Sequence, residues 1–425
     1  MRYVEINLKP NNKTLLYAQI LLVLVMLWFR DVLYFPSAIT YITDINLVLL
    51  VFQCCYKKTE YRVFKDVITQ YVIVALIVVF MLFGATINTV SPLLVLWGMR
   101  NNLRFFIFFF VCIDLLDISD VHKFIKILKC FFLINLVMCT IQYYGFGLKA
   151  DYLGGFFGIT RGCNGYLNVF ICILCSIAIS EFLCSKIRAG KLIFYLSASL
   201  YMAILAELKV FYFELIIMVA FAVILSKPSL KTVLVSLIFS LGFVVGAVAL
   251  LIYDPDSFGV LFDFDALELY LTGTGYTSSG DLNRFTAIGQ IFSSFFEDSP
   301  LLTLFGFGLG SCEYSQFSFL QSDFALKYGE LNYRWFTHAW VFLEQGAVGL
   351  ILLVAFFVSL LVYTCRRLTS DNKLYMIMSV AFLPTCILGL LYNTAIQVEN
   401  CYIIALVCAI PYIANKSRLL RSSYE

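Results

Sequence analysis

The sequence predicts an all-α polytopic membrane protein with about twelve transmembrane helices and one large hydrophilic loop, and three observations carry that expectation. Of 425 residues, 61% are hydrophobic and only 13% charged, at a mean hydropathy of +0.90, whereas soluble domains are about half apolar and a quarter charged. Long apolar stretches recur along the chain, of the length a helix needs to cross about 30 Å of hydrocarbon. The basic residues collect in every second interruption between those stretches. A water-soluble fold is excluded.

Taken in order, spans are expected near residues 14–33, 37–56, 67–88, 93–116, 124–144, 164–184, 191–207, 210–226, 232–253, 338–363, 374–394 and 398–415. In the first of them, Leu15–Phe29 resembles a signal-peptide core, but Arg30-Asp31 follows instead of small residues at a cleavage site, so it reads as a retained helix. The stretch Lys191–Ser226 would extend about 54 Å as one helix, more than one membrane thickness. It divides into two short spans with the reversal near Glu207-Leu208-Lys209, which puts Lys209 at the membrane boundary. Residues 254–337 form the one persistently polar segment, so the chain reads as a single transmembrane domain, 1–425, containing one large loop. Within the loop, Leu282–Phe296 and Phe317–Tyr328 read as short amphipathic helices lying on the membrane surface.

Interruptions at 1–13, 57–66, 117–129, 185–191, 226–231, 364–373 and 416–425 hold 21 of the 30 Lys and Arg. Basic residues translocate poorly, so this asymmetry places both termini in the cytoplasm and the large loop on the opposite side. That loop has eleven acids and three basic residues, Arg284, Lys327 and Arg334. The fourteen cysteines sit mostly inside apolar runs, with no CxxC pair of zinc-site spacing, so neither a metal site nor a disulfide framework is expected. Cys163 and Cys312 alone fall in non-cytoplasmic loops, and the expectation for them is two unpaired thiols.

Candidate functional residues gather at one end of the spans. Arg284, in TSSGDLNRF, carries a permanent fork-shaped charge suited to phosphate oxygens beside a membrane; the ordinary alternative is a surface ion pair in an acidic loop. Gly306–Gly310, with Gly308 at its centre, has the form of a backbone anion cradle, although such a glycine run more often makes a tight turn. His338, one of two histidines, opens the next span and is a candidate proton acceptor, against the alternative of a helix anchor. Glu344 lies about 240° around the helix from it and is expected to be structural. Arg161 and Lys209 end other spans on the side where basic residues are disfavoured. Arg100 and Arg104, in GMRNNLRFF, either join the same basic pocket or snorkel to headgroups. Lys209, Arg161, Arg284 and His338 share one depth, a seat for an anionic lipid headgroup. The pairs Asp254-Pro255-Asp256 and Asp263-Phe264-Asp265 have the Asp-x-Asp spacing but read as solvated loop acids.

These residues, in this order, resemble the bacterial O-antigen polymerase and O-antigen ligase superfamily: a late large loop, its Arg284, the segment LFGFGLGS at Leu304–Ser311, and a helix opening HAWVFLEQGAVG at His338–Gly349. Lys209 stands 75 residues before Arg284, where the family usually has Arg, and Arg161 in TRGCNGYLN matches a further family Arg. Asp281-Leu282-Asn283 separates Ser279-Gly280 from Arg284, which often adjoin in the family. The resemblance implies a GT-C-like fold in the bacterial inner membrane and metal-independent, cofactor-free glycosyl transfer from an undecaprenyl-pyrophosphate-linked glycan. Arg284, Lys209 and Arg161 would neutralise the departing pyrophosphate, and His338 would deprotonate the acceptor hydroxyl. It implies a lipid-linked glycan acceptor, surrounding membrane lipid and a chain-length regulator protein as partners, and no nucleic acid. A polymerase is the first expectation, a ligase acting on lipid A core the second, and a lipid-linked oligosaccharide flippase the third, disfavoured by the absence of repeats and of mid-membrane charge.

Overall fold

A computed structural model describes residues 13–55, 61–226, 228–253, 263–273 and 280–421. The pair Asp254-Pro255-Asp256 lies outside the described residues, as does most of the turn before Arg284. The fold is all-α, with no strand among the described residues. Hydrocarbon imposes this, because a helix satisfies its own backbone donors and acceptors where no water can.

In chain order the helices are α1 (Thr14–Asp31), α2 (Tyr41–Cys55), α3 (Tyr61–Ile87), α4 (Pro92–Leu115), α5 (Ile118–Phe146), α6 (Cys163–Leu183), α7 (Ala189–Leu205), α8 (Lys209–Leu225) and α9 (Leu230–Tyr253). The long loop then contributes α10 (Phe264–Thr272), α11 (Ala287–Ile291), α12 (Pro300–Phe305) and α13 (Asp323–Tyr328), followed by α14 (Thr337–Arg366), α15 (Lys373–Tyr392) and α16 (Cys401–Arg421). Eight of these, α1 to α6 with α14 and α15, are long and apolar enough to cross a membrane. The other four expected spans coincide with α7, α8, α9 and α16; α7 and α8 have only 17 residues each. Their reversal falls at Ala206–Leu208, with Glu207 at φ 52°.

α6 is buried almost all round, and α15 and α8 pack against it, while α4 runs along α16 and α14 along α15 and α3. Polar clamps close the end of the bundle opposite the long loop. Lys13 bridges Asp117, at 2.6 Å, and Asp120, the two residues of the capping box that starts α5. Asp66 of α3 accepts from Tyr363, Arg367 and Asn415, tying α14 and α16 to it.

The segment Leu304–Ser311 is threaded between helices. Gly306 (φ 65°) sits against α14 so closely that a Cβ there would lie 2.5 to 2.7 Å from the Leu343 carbonyl oxygen, Glu344 and Gln345. Gly346 (φ 62°, ψ −161°) kinks α14 at the same place, and a Cβ on it would collide with Leu304 and Phe305. The kink frees the Leu343 carbonyl, which accepts from Phe307 N at 2.8 Å. Two glycines thus let two backbones touch where side chains would hold them apart.

The two amphipathic stretches of the loop do form short helical turns, α11 with a π turn at Phe292–Phe296 and α13 after a 3-10 turn at Ser318–Leu320. Their apolar residues divide: Phe324 and Ala325 turn to protein, while Phe285, Phe292, Phe319 and Leu326 stay exposed. Leu282, Ala287, Ile291 and Phe296 build a separate core with Tyr333, Phe336, Trp340 and Leu343, so the loop is packed down on the start of α14. All fourteen cysteines are free thiols, Cys163 and Cys312 among them.

Gly346→Ala is expected to destabilise the protein by more than about 2 kcal/mol, since alanine at positive φ is strained and its methyl meets backbone. Thermal unfolding in detergent checks this against a control, Gly145→Ala in α5, whose new methyl would meet nothing closer than 3.7 Å. Equal midpoints for the two variants would contradict the docking role.

Candidate functional site: an arginine-lined cavity at the loop end

The cavity is built on a stretch of chain that is not helical. Between α15 and α16, residues 393–400 form a succession of turns. Irregular backbone at membrane depth is tolerated where it lines a cavity or is buried in protein with its polar groups satisfied. Here the Asn393 carbonyl accepts from the Thr337 amide at 3.1 Å and hydroxyl at 2.8 Å. The Asn393 side chain accepts from Ala395 N at 3.0 Å. The Gln397 carbonyl accepts from the Arg104 guanidinium.

Asn393, Thr394, Ala395, Val398 and Asn400 form the floor of a cavity of about 820 Å³. Its walls come from the Asp151–Tyr166 region, the Asn332–Phe336 turn of the loop, Arg284 and Tyr392. Three arginines, Arg161, Arg284 and Arg334, face one acid, Asp151, among the described lining residues. Each guanidinium is held over aromatic rings: Arg284 between Tyr392 (4.4 Å) and Phe336 (5.2 Å), Arg161 on Trp335 (4.9 Å), and Arg334 on Tyr314 (4.3 Å). Such stacking fixes the plane of a guanidinium, and Arg161 also faces Asp151, with Nε 3.8 Å from its carboxylate.

Arg284 is set by the residues just before it. Leu282 is buried in the loop core and its N–H reaches the Leu331 carbonyl at 2.9 Å. The Asn283 side chain accepts from Phe285 N at 2.9 Å, an Asx turn. The three residues that separate Arg284 from Ser279-Gly280 therefore anchor it. Arg161 is set from α1: Asp31 Oδ2 accepts from the Thr160 hydroxyl at 3.0 Å and Ile159 N at 3.3 Å.

His338 is 3% exposed and is not part of the cavity lining. Its Nε2 lies 2.8 Å from the Arg284 carbonyl and its Nδ1 3.1 Å from the Leu390 carbonyl. With both nitrogens turned to backbone oxygens, no lone pair is aimed at the cavity. A neutral imidazole donates to one of these two carbonyls, and its ring lies packed between the Arg284 backbone and the end of α15.

The structure brings Arg161 and Arg284 together as the sequence pattern predicts, and adds Arg334. In the sequence that third arginine reads only as one of three bases in an acidic loop; its place directly before the Trp335-Phe336 pair was the available signal. Lys209 is not among the described residues that line the cavity; it opens α8 just after the reversal whose Ala206 carbonyl accepts from the cavity residue Asn164 at 3.3 Å. Gly308 lies elsewhere, against Gly84, Ala85 and Val90, as a packing residue.

Arg100 and Arg104 neither line the cavity nor snorkel. Arg100 pairs with Asp44 at 2.6 Å and stacks on Trp97. Arg104, 3% exposed, lies between Glu399 at 3.5 Å and Asp44 at 3.9 Å. Its permanent charge is the counter-ion that a carboxylate taken out of water requires. Glu399 also accepts from the cavity residue Tyr166 at 3.0 Å. In the loop, Glu313 accepts from Asn101 at 2.8 Å, and its complete burial pushes the carboxyl above the usual carboxylate range. Glu344 accepts from Cys312 N at 3.0 Å.

The chain matches no family model and no curated protein.

Arg104→Leu is expected to cost about 3–5 kcal/mol, because it removes the nearest counter-charge of the buried Glu399. The pair Arg104→Leu with Glu399→Gln should recover a large part of that loss. Unfolding midpoints of the three proteins test the coupling; strictly additive losses would refute it.

Proposed function

We propose that this protein is a multi-pass glycosyltransferase of the inner membrane, an O-antigen polymerase that joins undecaprenyl-pyrophosphate-linked repeat units. The observation that carries the reading is the cavity: three arginines from three separate segments face one space at the loop end, each oriented by aromatic rings. A diphosphate is the headgroup that such a set of permanent, forked charges fits best. In this reading α7, α8, α9 and α16 also cross the membrane, giving twelve spans. Both termini are cytoplasmic, in keeping with the 21 basic residues gathered at that face, and the cavity opens to the periplasm.

Mechanistically, Arg161, Arg284 and Arg334 hold the diphosphate of the donor and stabilise the charge that grows on it as the glycosidic bond to phosphate breaks. They are prearranged, so little reorganisation accompanies the reaction. Asp151, Asn164, Asn332 and Asn400 present hydrogen-bonding groups of the kind that orient a sugar. Lys209, at the start of α8 beyond the reversal, adds positive charge at the loop end, and His338 packs against the backbone of Arg284.

Each of Arg161→Ala, Arg284→Ala and Arg334→Ala should weaken binding of undecaprenyl diphosphate by the purified protein by about 10- to 100-fold, the value of one charge-assisted contact. Unchanged affinity in all three would overturn the diphosphate assignment. In cells, a deletion strain is expected to make lipopolysaccharide capped with single repeat units, restored to a ladder by the wild-type chain and not by Arg284→Ala. Core without any O-antigen would instead identify a ligase, and an unaffected ladder would remove both readings.

A further inference from the structure

Next to the arginine cavity lies a second, much smaller chamber of about 20 Å³, room for one water molecule. Asn393 and Ala395 line both spaces, so the two adjoin at these residues. Among the described residues lining it, the one carboxyl is Glu214 of α8, 3% exposed. Its Oε2 accepts from the Asn168 amide at 2.8 Å and from the Cys172 thiol at 3.2 Å. The Asn168 side-chain oxygen is buried with no hydrogen-bond partner among the described residues.

Burying a carboxyl is costly unless a cation or a full set of donors compensates it. No described residue lining this chamber carries a positive charge; its other titratable groups are the thiols Cys172 of α6 and Cys386 of α15. The two hydroxyls facing the chamber are already committed as donors, Thr337 to the Asn393 carbonyl at 2.8 Å and Thr385 to the Phe382 carbonyl at 2.7 Å. Their oxygens, like Glu214, are left as acceptors. A water, with two protons to give, is the molecule this lining suits. Glu214 thus puts a carboxyl directly behind the cavity floor, whereas His338 directs no lone pair there.

We propose that a water in this chamber passes the acceptor's proton to Glu214, which makes Glu214 the proton-accepting relay of the transfer reaction. The inference rests on the glycosyltransferase reading above. In the step, the acceptor hydroxyl oxygen bonds to the donor's anomeric carbon while the bond from that carbon to the diphosphate oxygen breaks. The bonding pair leaves on the diphosphate, between the arginines. The hydroxyl proton passes to the water, and a proton of that water passes to the Glu214 carboxylate. Asn393, shared by both walls, is the residue past which the water must reach.

The test uses the full chain in lipid nanodiscs with an undecaprenyl-diphosphate-linked glycan, measuring lipid binding and polymer formation separately across neutral pH. Glu214→Gln keeps the shape and the acceptor oxygen but cannot take up a proton. It should bind the lipid like wild type and form polymer at least about 100-fold more slowly. Glu214→Asp should retain part of the activity with a displaced pH profile. Wild-type turnover and an unmoved profile in both variants would overturn the relay. So would a parallel loss of lipid binding, which would make Glu214 a structural residue. If wild type itself binds no diphosphate lipid, the glycosyltransferase reading fails first and takes the relay with it.

Discussion

The buried guanidinium of Arg104 is the interaction on which the loop end of this protein depends. Placing a permanent charge among helices demands close partners, and here it finds Asp44 on α2, Glu399 before α16 and the Gln397 carbonyl. One side chain of α4 therefore satisfies the irregular segment that a helix could not provide. Without that compensation the buried polar groups of residues 393–400 would lose a partner, and the lining they give the cavity would lose its support.

Two further devices work from that floor upward. Glycines at 306 and 346 let the loop lie directly on the kinked α14, which turns a surface excursion into a packed cover with its own apolar core. Short polar ties then set two of the three arginines: Asp31 holds the turn before Arg161, an Asx turn holds Arg284, and the His338 ring packs against the Arg284 carbonyl. The arginines converge because three separately anchored pieces of chain meet there, and their mutual repulsion is offset by aromatic faces and by the neighbouring acid.

Much of the architecture was legible because hydrophobic length and charge placement are local properties. The reversal at Ala206–Leu208 followed from helix rise, since 36 residues at about 1.5 Å each overrun one membrane, together with the basic clusters at both ends of the stretch. Arg161 stood out because charge at a span end is costly there, and Arg284 because it is a permanent charge in an acidic loop beside the membrane. What misled was equally physical. The glycine run from Gly306 looks like an anion cradle, and only the approach of α14, Gly84 and Ala85 shows that its glycines serve packing. His338 looks like a base until both ring nitrogens are seen against carbonyls.

The amino-acid sequence by itself determined a helical membrane protein, the positions of its helices and the concentration of candidate charge at one end, because these depend on composition and on spacing along the chain. Tertiary structure alone decided that Arg100 and Arg104 are internal struts, that Arg334 joins the cavity, and that Glu214 lies behind its floor. Those outcomes depend on which residues meet across helices far apart in the chain, and no local pattern encodes that distance.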